Sequence, residues 1–225
     1  MTALFLFAAA TPDLLNLGTV WDFLAAGGPV MVPLGLCSVV ALAIAAERFL
    51  RLTRGRVLPP ALDAALALLG QGKAGEALTA AEQVDAPAAR ILVAGLRRQG
   101  LALEQVEKAM EDQGRKELDR LQANIKILSL IANVAPLLGL LGTVTGIMRA
   151  FGQVSQVGMG RPEQLAGGIS EALIATTAGL TVAIPSVLLA AFLAARMRRL
   201  LLAADERLAP AVEQIARQGG QRHAA

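Results

Sequence analysis

Three long apolar runs break an otherwise mixed chain: Pro29 to Ala46, Ile127 to Met148, and Ile169 to Ala195, the last crossed only by Glu171. Each approaches or exceeds the ~20 residues that cross a bilayer core. Between the first two runs the pattern is helical throughout, with no alternating strand-like stretch. Breaks at Pro59-Pro60, Gly70 to Gly75, Pro87 and Gly100 delimit helices near 61–69, 74–84 and 88–99, with a long one starting near 102. In that last helix Leu103, Val106, Met110, Leu118, Leu121, Ile125 and Leu128 recur at three, four, seven or eight residues. Apart from Gly114 nothing interrupts it, so the pattern predicts one continuous rod running into the second apolar run. Leu200, Leu201, Leu208, Val212 and Ile215 carry the helical period beyond the third run.

The expected fold is an all-α membrane protein with three transmembrane helices, whose long helices extend into a cytoplasmic helical bundle. The expected segments are an outer N-terminal stretch (1–27), a first span (28–47), a cytoplasmic helical domain (48–126), a second span (127–151), an outer turn (152–167), a third span (168–195) and a cytoplasmic C-terminal helix and tail (196–225). Composition agrees: 55% of residues are hydrophobic, against about 45–50% in soluble domains.

Charge sets the orientation. No Lys or Arg precedes Arg48; Arg48, Arg51, Arg54 and Arg56 follow the first run, Arg120 and Lys126 precede the second, and Arg196, Arg198 and Arg199 follow the third. Basic residues stay on the cytoplasmic side of short loops, which places the N-terminus outside. Arg149 and Arg161 in the outer turn oppose this and are outvoted. The formal net charge is only +3 and the arginines flank membrane ends, so nucleic-acid binding is not supported. The single Cys37 lies inside the first run and has no partner for an internal disulfide. Met1 to Ala10 is apolar without a basic lead, which reads as an outer amphipathic helix near Trp21 and Phe23 rather than a signal peptide.

Small residues recur on one face of each of the last two runs. Pro136, Gly139, Thr143, Gly146 and Ala150 form one stripe; Ala172, Thr176, Gly179, Ala183 and Ser186 form the other, and Gly142 to Gly146 is a small-xxx-small step. This spacing serves close helix packing or a conduction path. Counting from Gly152 and Gly167, taken as the ends of the outer turn, puts Thr143 and Thr176 each nine residues deep, at about one level. A ring of such chains would carry a belt of hydroxyls. Glu171 is the sole acid within the runs; it reads either as part of a proton path or as a structural partner of Arg149 or of another subunit. It stands about 140° around the helix from Thr176 and near the helix start, where negative charge is tolerated. Pro185 bends the third helix or frees a carbonyl near Thr181, and Asn133 reads as an interhelical hydrogen-bonding group. There is no nucleotide loop, metal-ligand cluster or nucleophile triad, so neither an enzyme nor a cofactor is implied.

These residues carry a resemblance. IANVAPLLGLLGTVTGIMRAF followed by GISEALIATTAGLTVAIPSVLLAAF resembles the paired-helix core of the MotA/TolQ/ExbB proton-channel family, and GGPVMVPLGLCSVVALAIAAERFLRL is similar to the first span of its ExbB-like branch. The resemblance implies a homo-oligomeric ring, a pentamer, in the bacterial inner membrane around two copies of a single-span ExbD- or TolR-like partner. It implies that the partner's membrane aspartate carries the proton and that motion passes to a TonB- or TolA-like transducer, with membrane lipid around the ring. The family's pore threonines match Thr143 and Thr176, and its third-span glutamate matches Glu171; Thr145, Thr177 and Thr181 are further hydroxyls. Gly139, Gly142, Gly146, Gly179 and Pro185 are expected to shape helix packing. A flagellar stator would have four spans, so an ExbB-like role in TonB-dependent outer-membrane uptake is favoured. A TolQ-like role in envelope maintenance and a non-conducting scaffold remain as alternatives.

Overall fold

A computed structural model of the protein describes residues 22–23, 25–157 and 162–223. The helix expected over Met1–Ala10, Trp21 and the turn residue Arg161 lie outside the described residues. Among the described residues the elements are helices: α1 (Met31–Arg51), α2 (Arg54–Val57), α3 (Leu62–Gly70), α4 (Ala74–Glu82), α5 (Pro87–Leu96), α6 (Leu103–Val157) and α7 (Pro162–His223). Three of them, α1, α6 and α7, contain a stretch long and apolar enough to cross a membrane. The chain is an all-α membrane protein.

Helices α6 and α7 are 55 and 62 residues long, or about 80 and 93 Å at 1.5 Å per residue. Each runs unbroken past internal proline, α6 past Pro136 and α7 past Pro185 and Pro210. A proline removes one rung of the ladder. Just after Pro185, the Ser186 hydroxyl donates to the Val182 carbonyl at 2.7 Å, supplying a polar contact beside the missing rung.

The chain divides into two compact units. The first comprises residues 1–43 and 128–188. Its core joins Met31 and Leu34 of α1 to Ala135 of α6 and to Ala178 and Ala183 of α7, with Phe23, Val30, Leu138, Ile174 and Val182 packed around them. The side chains in this core are mostly small, while large ones point outward: Val32, Leu36, Leu137, Met148, Leu173 and Leu188 each keep more than 60% of their surface. That inversion is what a lipid environment favours, since close backbone approach and not water expulsion holds the helices together.

The second unit comprises residues 44–127 and 189–225. Here the arrangement is that of a water-soluble bundle. Leu62, Leu69, Leu92 and Leu96 from the insert pack on Val106 and Met110 of α6 and on Ala204, Leu208, Ala211 and Ile215 of α7. The short helices end where the backbone allows it: Gly72 and Gly100 adopt φ of +83° and +90°, which glycine reaches without Cβ strain, and Pro87 opens α5. Arg207 pairs with Asp63, and the Gln218 amide donates to the Leu69 carbonyl at 2.6 Å, tying the α7 tail to α3.

The stripe on α6 differs from expectation at two places. Leu103, the first residue of α6, is exposed. The core position seven residues after Met110 belongs to Glu117, which keeps only 1% of its surface, and Leu118 is half-buried. Glu117 is satisfied there: Arg90 grips both carboxylate oxygens at 2.9 and 2.8 Å, Gln113 donates at 2.9 Å and Arg120 at 3.1 Å. Burial pushes its carboxyl up, but the Arg90 hydrogen bonds and charge, with Arg120 and Gln113, outweigh that and hold it below its ordinary value.

Candidate functional site at the glycine seam

In the first unit α6 and α7 meet along a seam of glycine and alanine. A Cβ built on Gly139 would lie 3.0 Å from the Ala175 carbonyl oxygen and 3.2 Å from the Thr176 Cα; one on Gly179 would lie 2.7 Å from the Ala135 carbonyl oxygen. Gly142 opposes Ala175, and Gly146 opposes Ala172 and the Gly168 carbonyl. Every one of these contacts is with backbone or a Cβ, so nothing can rotate aside to admit a methyl group. Pro185 sits half-buried further along α7, beside the buried Ala183 and Ser186.

Such proximity exposes backbone carbonyls of one helix to hydroxyls of the other. The Thr176 hydroxyl donates across the seam to the Gly139 carbonyl at 3.3 Å. Thr143 is also half-buried, but its hydroxyl donates within α6 to the Leu140 carbonyl at 2.6 Å. Thr145, Thr177 and Thr181 likewise bond carbonyls of their own helix. Asn133 is exposed.

Depth along the seam follows from the pairings. Gly142 opposite Ala175 and Gly146 opposite Ala172 place Thr143 opposite residues 174–175. Thr143 and Thr176 are therefore offset by only one to two residues, about 2–3 Å. Helix α6 continues to Val157 and α7 begins at Pro162, each five residues beyond the glycines taken as the ends of the turn, so a count from those ends again gives the two threonines equal depth.

The same extension moves Glu171 out of the first turn of α7, where Glu163 sits instead. Helix-terminus charge therefore does not account for Glu171. Its partner is Arg149 of α6, whose guanidinium donates at 2.5 Å. The pair bridges the two helices next to the end of the seam at Ala150 and Gly168. A third element closes on it: Gly28, with φ of +71°, lies against the Glu171 carboxyl, which a Cβ at that position would strike. The GGP entrance to α1 is thus shaped to the ion pair. Sequence spacing did not reveal this, because 143 positions separate Gly28 from Glu171; the signal available was a Gly-Gly pair where one helix-starting glycine would suffice. Among the described residues there is no group of His, Cys, Asp and Glu able to hold a metal.

Fold and site together define a multi-pass helical membrane protein with two long helices locked by small residues and a polar group at the lock. Residues 83–206 match the model of the MotA/TolQ/ExbB proton channel family. The chain is 39% identical over 196 residues to the putative biopolymer transport protein ExbB-like 1 of Synechocystis sp., covering 81% of this chain and 71% of that relative. It is 42% identical over 81 residues to the Tol-Pal system protein TolQ of Haemophilus influenzae, 36% of each chain. It is 40% identical over 87 residues to the biopolymer transport protein ExbB of Aquifex aeolicus, 39% of this chain and 57% of the relative. The chain belongs to the MotA/TolQ/ExbB proton channel family and is of the ExbB type, a subunit of a proton-channel energising machine.

Proposed function

We propose that the chain is the ring subunit of an inner-membrane, proton-driven motor, oriented with its N-terminus outside. Five copies surround an ExbD-like single-span partner and energise TonB-dependent transport across the outer membrane. The observation that carries this reading is the Thr176 hydroxyl bonded across a seam too tight for any side chain larger than glycine's. A tight seam alone needs no hydroxyl there. Thr176, with Thr143 about 2–3 Å away along the seam, supplies donors and acceptors at the depth where a partner helix would present a protonatable carboxylate. In this reading Glu171, paired with Arg149, fixes the outer end of the path and is not itself the proton carrier. Similarity to ExbB-like proteins along most of the chain supports the ExbB branch.

A TolQ-like role in envelope maintenance is the second reading, favoured by the TolQ match across the paired helices. Expression in strains lacking either the ExbB-type or the TolQ-type subunit separates the two. The test of the path is Thr143→Val with Thr176→Val, which keeps volume and removes both hydroxyls. Uptake that depends on the proton gradient is expected to fall at least ~10-fold, on the order of one lost hydrogen-bonding group per barrier, with unchanged protein levels. Uptake at the normal rate overturns the assignment.

A further inference from the structure

The buried face of α1 repeats at sevens: Leu34, Ala41 and Arg48 are all buried. The last is an arginine that keeps 6% of its surface, and its Nε is buried without a hydrogen-bond partner. No carboxylate pairs with it among the described residues. The adjacent Glu47 is already engaged, pairing with Arg51 at 3.1 Å and accepting from the Asn124 amide at 3.0 Å. A buried guanidinium N–H left without an acceptor is costly, so the site favours a ligand that brings one.

The surroundings specify what fills it. Arg48 stands 17 residues after the start of α1, about 26 Å along the helix axis, which matches the depth of a lipid headgroup below a hydrocarbon core of about 30 Å. Phe49 and Phe192 stack at this level with centroids 6.5 Å apart, both substantially exposed, and Arg196 lies 5.4 Å over the Phe49 ring. Arg196 also donates to the Leu52 carbonyl at 2.6 Å, capping the chain just beyond α1. Exposed aromatic rings in this position are interface anchors. Arg51, Arg54, Arg56, Arg198 and Arg199, close to these residues in sequence, are exposed, and such a basic collar concentrates anionic lipid. A phosphodiester offers two oxygens that match the guanidinium fork.

We propose that Arg48 seats the phosphate of an anionic phospholipid from the leaflet on the insert side, held between the aromatic pair and the basic collar. A carboxylate from a second copy is less suited, because Glu47, the acid of this chain at the same level, is spent on Arg51 and Asn124. The proposal is independent of the threonine path.

The full-length protein is delipidated in detergent and its unfolding midpoint measured with added phosphatidylglycerol, phosphatidylcholine or inorganic phosphate, alongside lipid retention by native mass spectrometry. The wild-type protein is expected to gain several degrees with phosphatidylglycerol, less with phosphatidylcholine, and to retain one more phospholipid per chain than Arg48→Leu. Lipid-free Arg48→Leu is expected to unfold no earlier than lipid-free wild type, because it removes the unpartnered charge, and to lose the lift from phosphatidylglycerol. If Arg48→Leu does not purify folded, Arg48→Lys reads the same site: it keeps the charge, lacks the fork, and should show at most half the lift. A full lift in either variant overturns the proposal. So does an equal lift from inorganic phosphate alone, which would mean a free ion, or a loss of ring mass in Arg48→Leu with lipid count unchanged, which would mean a neighbouring copy's carboxylate.

Discussion

Gly179→Ala adds one methyl group where the α6–α7 seam makes its tightest approach to backbone. The new Cβ would stand 2.7 Å from the Ala135 carbonyl oxygen and 3.0 Å from the Gly139 Cα. Restoring ordinary contact near 3.4 Å requires the helices to separate by about 0.7 Å, a gap that already forfeits a quarter to a half of each dispersion contact it opens. The loss extends along the seam through Gly142 and Gly146, and it stretches the Thr176 bond to Gly139, which at 3.3 Å has little length to spare. Overpacking of this kind costs about 1–3 kcal/mol. Alanine's helix preference returns up to about 1 kcal/mol, leaving a net loss of about 1–2 kcal/mol. Gly35→Ala and Gly167→Ala make the same chemical change where no atom lies within 4 Å, so they should stabilise by about 0.5–1 kcal/mol. Reversible unfolding of the full-length protein in mixed detergent micelles with rising SDS, followed by helical circular dichroism, measures the difference. If Gly179→Ala is as stable as Gly35→Ala, the seam does not hold the helices together by backbone approach and the argument from it fails.

The Glu117 cluster gives a pH prediction. Its carboxyl is held below its ordinary value, so its contribution is complete above about pH 4.5 and is lost as pH falls through the lower folded-state value. Unfolding of Glu117→Gln should start about 1–3 kcal/mol less stable at pH 7, since Arg90 loses a bidentate partner but stays partly exposed, and then change less than wild type between pH 5 and 3; parallel curves would refute it. For Arg149 and Glu171, a double-mutant cycle with Arg149→Met and Glu171→Gln should give a coupling of about 1 kcal/mol, and a value indistinguishable from zero would mean that the pair does not hold α6 to α7.

The all-helical membrane fold is readable in the sequence because run length and period are local properties: an uncharged stretch such as Ile127 to Met148 declares itself without reference to anything else. Glu117 shows where local reading stops. Its position on the α6 stripe requires a leucine, and it is tolerated only because Arg90, 27 residues earlier, folds back onto it. The threonines show a second limit. Spacing places Thr143 and Thr176 on the stripes, but that Thr176 bonds across the seam to Gly139 while Thr143 turns to Leu140 of its own helix depends on side-chain rotamers and on how closely the two backbones approach. Arg48 marks a third: its position on the buried face follows from the seven-residue repeat, while the absence of any partner emerges only when the neighbouring side chains are in place.

The tail of α7 has a consequence for how the chain is made. Its Ala204, Leu208, Ala211 and Ile215 close a core whose other walls, Leu62 to Leu96, are synthesised more than a hundred residues earlier. At ribosomal rates of about 5–20 residues per second, that pocket stays open for roughly ten seconds or more, awaiting a helix that reaches it only if the third span has crossed the membrane in the right direction. A chain threaded wrongly would strand the tail on the opposite side and leave the insert's leucines bare to chaperones and proteases. Burial of the insert's leucines therefore depends on correct threading of the last span.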